Sequence, residues 1–198
     1  MEPSLVLAST SPYRASLLER LEVPFVTAAP TVDERSFDAL LPTLGTRGYA
    51  LKLAAEKASS LAESRPGMWI LGADQLAVVS EDPPEVLHKP GTAARAVETL
   101  MRLRGRTHSL VTGVVLANAD RNIRYEAVDV HHLTMRAFSR AEATHYVDTH
   151  APLNCAGSYR IEDAGIKLFE RIEGSDFTGI IGLPLLATAS LLRRAELL

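Results

Sequence analysis

The order of apolar runs and helix-patterned stretches in this chain predicts an α/β protein with a mixed twisted sheet flanked by helices. Three observations carry that expectation. Leu5-Val6-Leu7-Ala8 is a continuous apolar run ending in Ser9-Thr10-Ser11-Pro12, the pattern of a buried strand that feeds a helix. Two long runs, 107–117 and 123–134, are joined by a polar link from Asn118 to Asn122, as in a hairpin. Helical stripes alternate with the strands over the rest of the chain.

Each element has its own local reason. After the first strand, Ser11 is a natural N-cap and Pro12 fits the first helical position, so a helix is expected to about Leu21. Phe25 to Ala28 is a second short strand. Tyr49, Leu53, Ala54, Ala58 and Leu61 make one stripe of a helix over 46–62. Residues 68–79 form a buried strand interrupted by the polar pair Asp74-Gln75, and Ser80 to Glu85 is a charged, proline-rich turn. An Ala-rich helix over 92–103 stops before Gly105. Ser139 and Glu142 have capping-box spacing and open a helix to about Asp148. Ile166 to Ile172 reads as a strand ending at Gly174, and Pro184 to Glu196 as a closing helix.

Length and composition bound the function. With 198 residues, 46% hydrophobic and 23% charged, the chain has enough apolar material for a sizeable core and is expected to form one domain over 1–198. Lys plus Arg number 21 against 24 Asp plus Glu, a formal charge of −3, which argues against a protein that grips a nucleic acid polymer. The single cysteine, Cys155, excludes an intramolecular disulfide and a thiolate zinc cage. Glu2 and the brief run at 5–8 do not make a signal peptide, and Gly182 to Leu192 is too short, and broken by Pro184, to span a bilayer. No membrane association and a cytoplasmic location are the expectation.

Four segments carry candidate chemistry. In LVLASTSPYR (5–14), the strand-to-helix step aims backbone N–H groups and a positive dipole end at one spot. Ser9 and Ser11 add hydroxyls, and Arg14 adds a charged fork suited to phosphate. Asp74 places a charge in an apolar strand, where it must be paired, hydrated or functional. Asp33-Glu34 follows the second strand, and carboxylates of this kind, with waters and substrate phosphates, suit Mg²⁺ or Mn²⁺. Lys57 and Lys89, read in isolation, fit solvated surface positions. In the stretch 155–174, Gly157 and Gly165 permit close backbone approach, and Glu162 and Glu170 are carboxylates available to a base or a metal. Cys155 reads as a small buried hydrophobe, and the six histidines as structural or surface residues.

Together these segments resemble the Maf family of nucleotide pyrophosphatases over nearly the whole chain. The matching pieces are LASTSPYR (7–14), VDE (32–34), LAAEKA (53–58), GADQ (72–75), HKP (88–90), TG (112–113), CAGSY (155–159) and GLP (182–184). The resemblance implies cleavage of a nucleoside triphosphate between its α and β phosphates, with a divalent metal and commonly a homodimer. It also implies an elongated, bilobed fold with a central cleft, similar to inosine triphosphate pyrophosphatases. By matching position it assigns Asp74 as the catalytic carboxylate, Glu34 to the metal, and Ser9, Arg14, Lys57 and Lys89 to the phosphates.

Tyr13, Gln75 and Glu162 stand where relatives acting on dTTP and UTP carry Arg, Thr and Gln. An aromatic, Gln and Glu resemble instead the branch acting on 7-methyl-GTP, whose cationic ring stacks well on an aromatic face. The aromatic here is Tyr rather than that branch's Trp. The alternatives are the same reaction on dTTP, UTP or another modified nucleotide, and a nucleotide-binding regulator of septum formation.

Overall fold

The computed structural model describes residues 4–198; Glu2 lies outside them. Seven strands form one mixed sheet. In chain order they are β1 (Leu5–Ala8), β2 (Phe25–Ala28), β3 (Trp69–Glu81), β4 (Pro84–Leu87), β5 (Thr107–Asn118), β6 (Ile123–Met135) and β7 (Phe169–Glu173). Their order across the sheet is β2-β1-β3-β5-β6-β7, with β4 paired to β3. β1 runs parallel to both β2 and β3, whereas β4 and β7 pair antiparallel with β3 and β6. The helices are α1 (Pro12–Glu19), α2 (Leu41–Ser59), α3 (Ala93–Leu103), α4 (Arg140–His150), α5 (Phe177–Ile181) and α6 (Leu185–Arg194). The predicted mixed α/β sheet is thus the observed one.

The chain divides into two compact units. The first comprises Met1–Gln75, Val111–Asp129 and Asp176–Leu198, and the second Leu76–Leu110 and Val130–Ser175. β3, β5 and β6 each contribute residues to both. Strand periodicity builds two cores in the first unit. Leu5, Leu7, Leu71, Ala73, Val114 and Leu116 share one cluster with Leu17 and Leu18 of α1 and Leu191 and Leu192 of α6. Val6, Ala8, Ile70 and Val115 point the other way, onto Ala54, Ala55 and Ala58 of α2. In the second unit, α4 is capped at its start: Ser139 and Glu142 form the expected reciprocal box.

Several boundaries differ from those read in the sequence. α2 begins at Leu41 rather than Thr46, but Gly45 breaks it at φ 65°, so the predicted helix is the part beyond that kink. The segment 34–40, for which no element was expected, is a 3₁₀ turn capped by the Asp33 carboxylate, which accepts from Arg35 N. The turn expected over 80–85 shrinks, because Ser80 pairs with Glu85 and Glu81 with Pro84, and cross-strand pairs such as Val78 with Val86 extend the ladder into β4. The strand expected from Ile166 starts at Phe169. Residues 164–168 form a 3₁₀ turn held by Arg136, whose Nε donates to the Lys167 carbonyl at 2.7 Å and whose backbone N donates to the Leu168 carbonyl at 3.0 Å. The closing helix is preceded by the separate short α5, with Pro184 capping α6.

Candidate active site

Alternation along β3 sends Gly72 and Asp74 to the α2 face and Ala73 and Gln75 to the opposite one. α2 lies backbone-close on that face because two glycines leave room for it. A Cβ on Gly72 would run into the Ala54 carbonyl oxygen, and one on Gly113 of β5 would come within 2.6 Å of the Ala50 carbonyl oxygen. Ala54 and Lys57 are three residues apart and share a helix face. The close approach therefore delivers Lys57 to Asp74.

Lys57 Nζ donates to Asp74 Oδ1 and pairs with Glu34 Oε1 at 2.8 Å. Lys57 and Asp74 are each only 6% exposed, whereas Glu34 reaches in from the open 3₁₀ turn. The isolated reading of Lys57 as a surface lysine is thus corrected: a glycine contact on a distant strand buries it. Burial pushes the Asp74 carboxyl above its usual range, the charges of Lys57 and Arg14 pull it back, and Glu34 pushes it up. Burial lowers the Arg14 guanidinium, and the carboxylates of Asp74 and Glu34 offset that. Four ionisable side chains thus act on one another here.

Arg14 lies in the first turn of α1. The Ser11 side chain accepts from Arg14 N at 3.4 Å, and Ser11 N donates to the Oγ of the buried Ser9 at 3.1 Å. Arg14 Nε donates to the Gly182 carbonyl at 2.9 Å, which spends one donor of the fork and fixes its plane. Tyr13, on the first turn of α1, is 40% exposed. On the other face of β3, Gln75 Nε2 donates to Thr112 Oγ1 at 3.1 Å and to the Gly179 carbonyl at 2.6 Å.

Lys89 and Glu162 belong to the second unit and are exposed. Both act electrostatically on the half-buried Cys155, Lys89 lowering and Glu162 raising its thiol pKa, while burial, the largest influence, pushes it up. That fits Cys155 as an inert thiol rather than a nucleophile. His108 and His131 are buried, and His132 Nδ1 meets Ser109 Oγ at 2.9 Å.

Tyr49 escaped the sequence reading, which placed it in a core stripe. It is buried, but its hydroxyl donates to Asp38 Oδ1 at 2.7 Å and ties the turn that carries Glu34 onto α2. Burial raises its pKa, with Asp38 first among the further causes and Asp74 and Glu34 contributing. The available signal was one hydroxyl in a stripe otherwise of Leu and Ala.

Among the described residues, no group of three or more His, Cys, Asp or Glu side chains gathers as a metal cage. The donor set at Lys57 is two carboxylates, one buried and one open to solvent. That set fits a Mg²⁺-type ion, which keeps waters and takes one or two carboxylates plus phosphate oxygens, and does not fit structural zinc. No helix among the described residues is long and apolar enough to cross a membrane.

The chain matches the Maf-like protein family over residues 4–195. It is 42% identical over 195 residues to a 7-methyl-GTP pyrophosphatase of Xanthomonas oryzae pv. oryzae (strain KACC10331 / KXO85), covering 98% of this chain and 97% of that relative. Proteins of the same name from Hahella chejuensis (40% identical, 98% of this chain and 95% of the relative) and Bdellovibrio bacteriovorus (39%, 99% of each) are similar to it as well.

Proposed function

The chain belongs to the Maf family, and from that premise we propose that it hydrolyses 7-methyl-GTP to 7-methyl-GMP and pyrophosphate. The observation that carries the reading is the buried Asp74 carboxylate, held by Lys57 with Glu34 and Arg14 in electrostatic range. In that reaction a water oxygen bonds to the α-phosphorus and the bond to the α,β-bridging oxygen breaks. Asp74 takes the water's proton, a role that a carboxylate raised above its usual range serves better than an ordinary one. Arg14 and Lys57 bind the phosphate oxygens, and Ser9 adds a hydroxyl donor. Glu34 would hold a divalent cation, Mg²⁺ or Mn²⁺, whose charge would neutralise that developing on the phosphates.

For the base, Tyr13 offers an exposed aromatic face to the cationic 7-methylguanine ring, and Gln75 an amide anchored through its nitrogen. The assignments of Lys89 to phosphate and Glu162 to the N1 and N2 edge of guanine rest on the family resemblance. A cytoplasmic location and a homodimer come with the same resemblance. The similarly named relatives, each near 40% identical over almost the full chain, support the choice of nucleotide.

The test is pyrophosphate release with Mg²⁺ or Mn²⁺ from 7-methyl-GTP, GTP, dTTP, UTP and ITP. A clear preference for 7-methyl-GTP is expected. A pyrimidine preference would keep the chemistry and overturn the base assignment, and no hydrolysis of any would favour the nucleotide-binding regulator.

A further inference from the structure

We propose that Asp176 and Thr178 are positioning residues for base selection, acting through the Gly179 carbonyl on the Gln75 amide. The inference rests on the reading of Gln75 as a base-facing residue. Asp176 is buried at the start of α5. Its Oδ1 accepts from Thr178 N at 3.0 Å and from Thr178 Oγ1 at 2.5 Å, and its Oδ2 accepts from Leu186 N at 2.7 Å. Thr178 Oγ1 in turn accepts from Leu185 N at 2.9 Å. Two side chains therefore close the stretch 176–186 on itself, fastening the first turn of α5 to the first turn of α6.

The closed stretch presents two carbonyls to the residues assigned to the nucleotide. Gly179 O receives the Gln75 amide at 2.6 Å, and Gly182 O receives Arg14 Nε at 2.9 Å. Gly182 lies at φ 127°, a backbone that L side chains rarely adopt, so the aim of its carbonyl also depends on glycine. With Gln75 Nε2 shared between Gly179 O and Thr112 Oγ1, its Oε1 lies outside those bonds and is the acceptor that the proposal gives to the base. An acceptor held in one orientation selects for a base edge that donates; an amide free to flip presents donor or acceptor and selects less. Thr178 and Asp176 spend their polar atoms within the network, so their influence on the nucleotide is indirect.

The experiment pairs a conformational readout with a kinetic one. The side-chain amide signals of Gln75, identified by their loss in Gln75→Ala, are followed by ¹⁵N NMR in the nucleotide-free protein. The kcat/KM ratio for 7-methyl-GTP over UTP is measured alongside. Thr178→Val keeps the shape and removes the hydroxyl; it is expected to shift the Gln75 amide towards a free glutamine and lower the ratio about fivefold to tenfold, the scale of one oriented hydrogen bond. Thr178→Ser restores both. Asp176→Asn, which sets an amide donor against Leu186 N, repeats the test should the valine variant fail to fold. Unchanged Gln75 signals in a folded variant overturn the proposal, as does a shifted amide with an unchanged ratio. A wild-type protein that hydrolyses no nucleotide overturns the assigned reaction instead, and the amide signals then decide the positioning by themselves.

Discussion

Each unit of the molecule buries a polar centre, and the two are built on opposite principles. In the first, Lys57 lies between Asp74 and Glu34, so each acidic or basic side chain has a partner of the opposite kind at hand. In the second, His108 is 2% exposed, its Nε2 meets the Tyr159 hydroxyl at 2.8 Å, and its Nδ1 has no hydrogen-bond partner among the described residues. Burial lowers its pKa from 6.5 to about 4, and pushes Tyr159 up, so both stay neutral near pH 7. A protein that needs only packing buries neutral groups, as around His108. Burying ionisable groups against one another is costly, and such a cluster is where a reactive centre is to be sought.

The comparison is broken most severely at Lys57. Lys57→Met leaves Asp74 buried without its cation, and a loss of about 3–5 kcal/mol in unfolding free energy is expected by denaturant titration, together with loss of turnover. His108 tests the neutral centre. Between about pH 6.5 and pH 4 the unfolded chain takes up a proton that the folded imidazole refuses, so stability is full above pH 6.5 and falls with decreasing pH. The loss through that window is about 3 kcal/mol, and His108→Gln, which keeps a donor for Tyr159, should remove most of the slope.

Gly72→Ala separates the charged centre from its scaffold. Its Cβ meets the Ala54 carbonyl, so about 1–3 kcal/mol of stability is expected to go as α2 moves away, with kcat falling more than the affinity for nucleotide. The smallest effect is at Tyr13. At 40% exposure its stacking on a cationic ring is worth about 0.5–1 kcal/mol, so Tyr13→Ala should lower the preference for 7-methyl-GTP over GTP by roughly twofold to fivefold.

Much of the charged centre was legible in the sequence for one physical reason. An aspartate inside WILGADQLAVV has nowhere to go unpaired, and the Ser-Thr-Ser-Pro step into α1 announces its own cap. Lys57 was not legible alone, since helical periodicity does not reveal that Gly72 and Gly113 let the α2 backbone settle on the strands. The hold on Gln75 was hidden for a related reason: its carbonyl partner lies 104 residues along the chain, and backbone acceptors leave no trace in residue identity. β4 was lost because a four-residue strand opening on Pro84 carries turn composition, and only its pairing with β3 makes it a strand.

Asp74→Asn is the most direct test that the charged centre performs the reaction. Turnover of 7-methyl-GTP and its equilibrium binding should be measured on the same folded preparation. The account predicts that pyrophosphate release falls by about 10²–10⁴-fold, the worth of a positioned base, while Kd changes by no more than about threefold, under 1 kcal/mol. An Asp74→Asn protein that still releases pyrophosphate near the wild-type rate would contradict it.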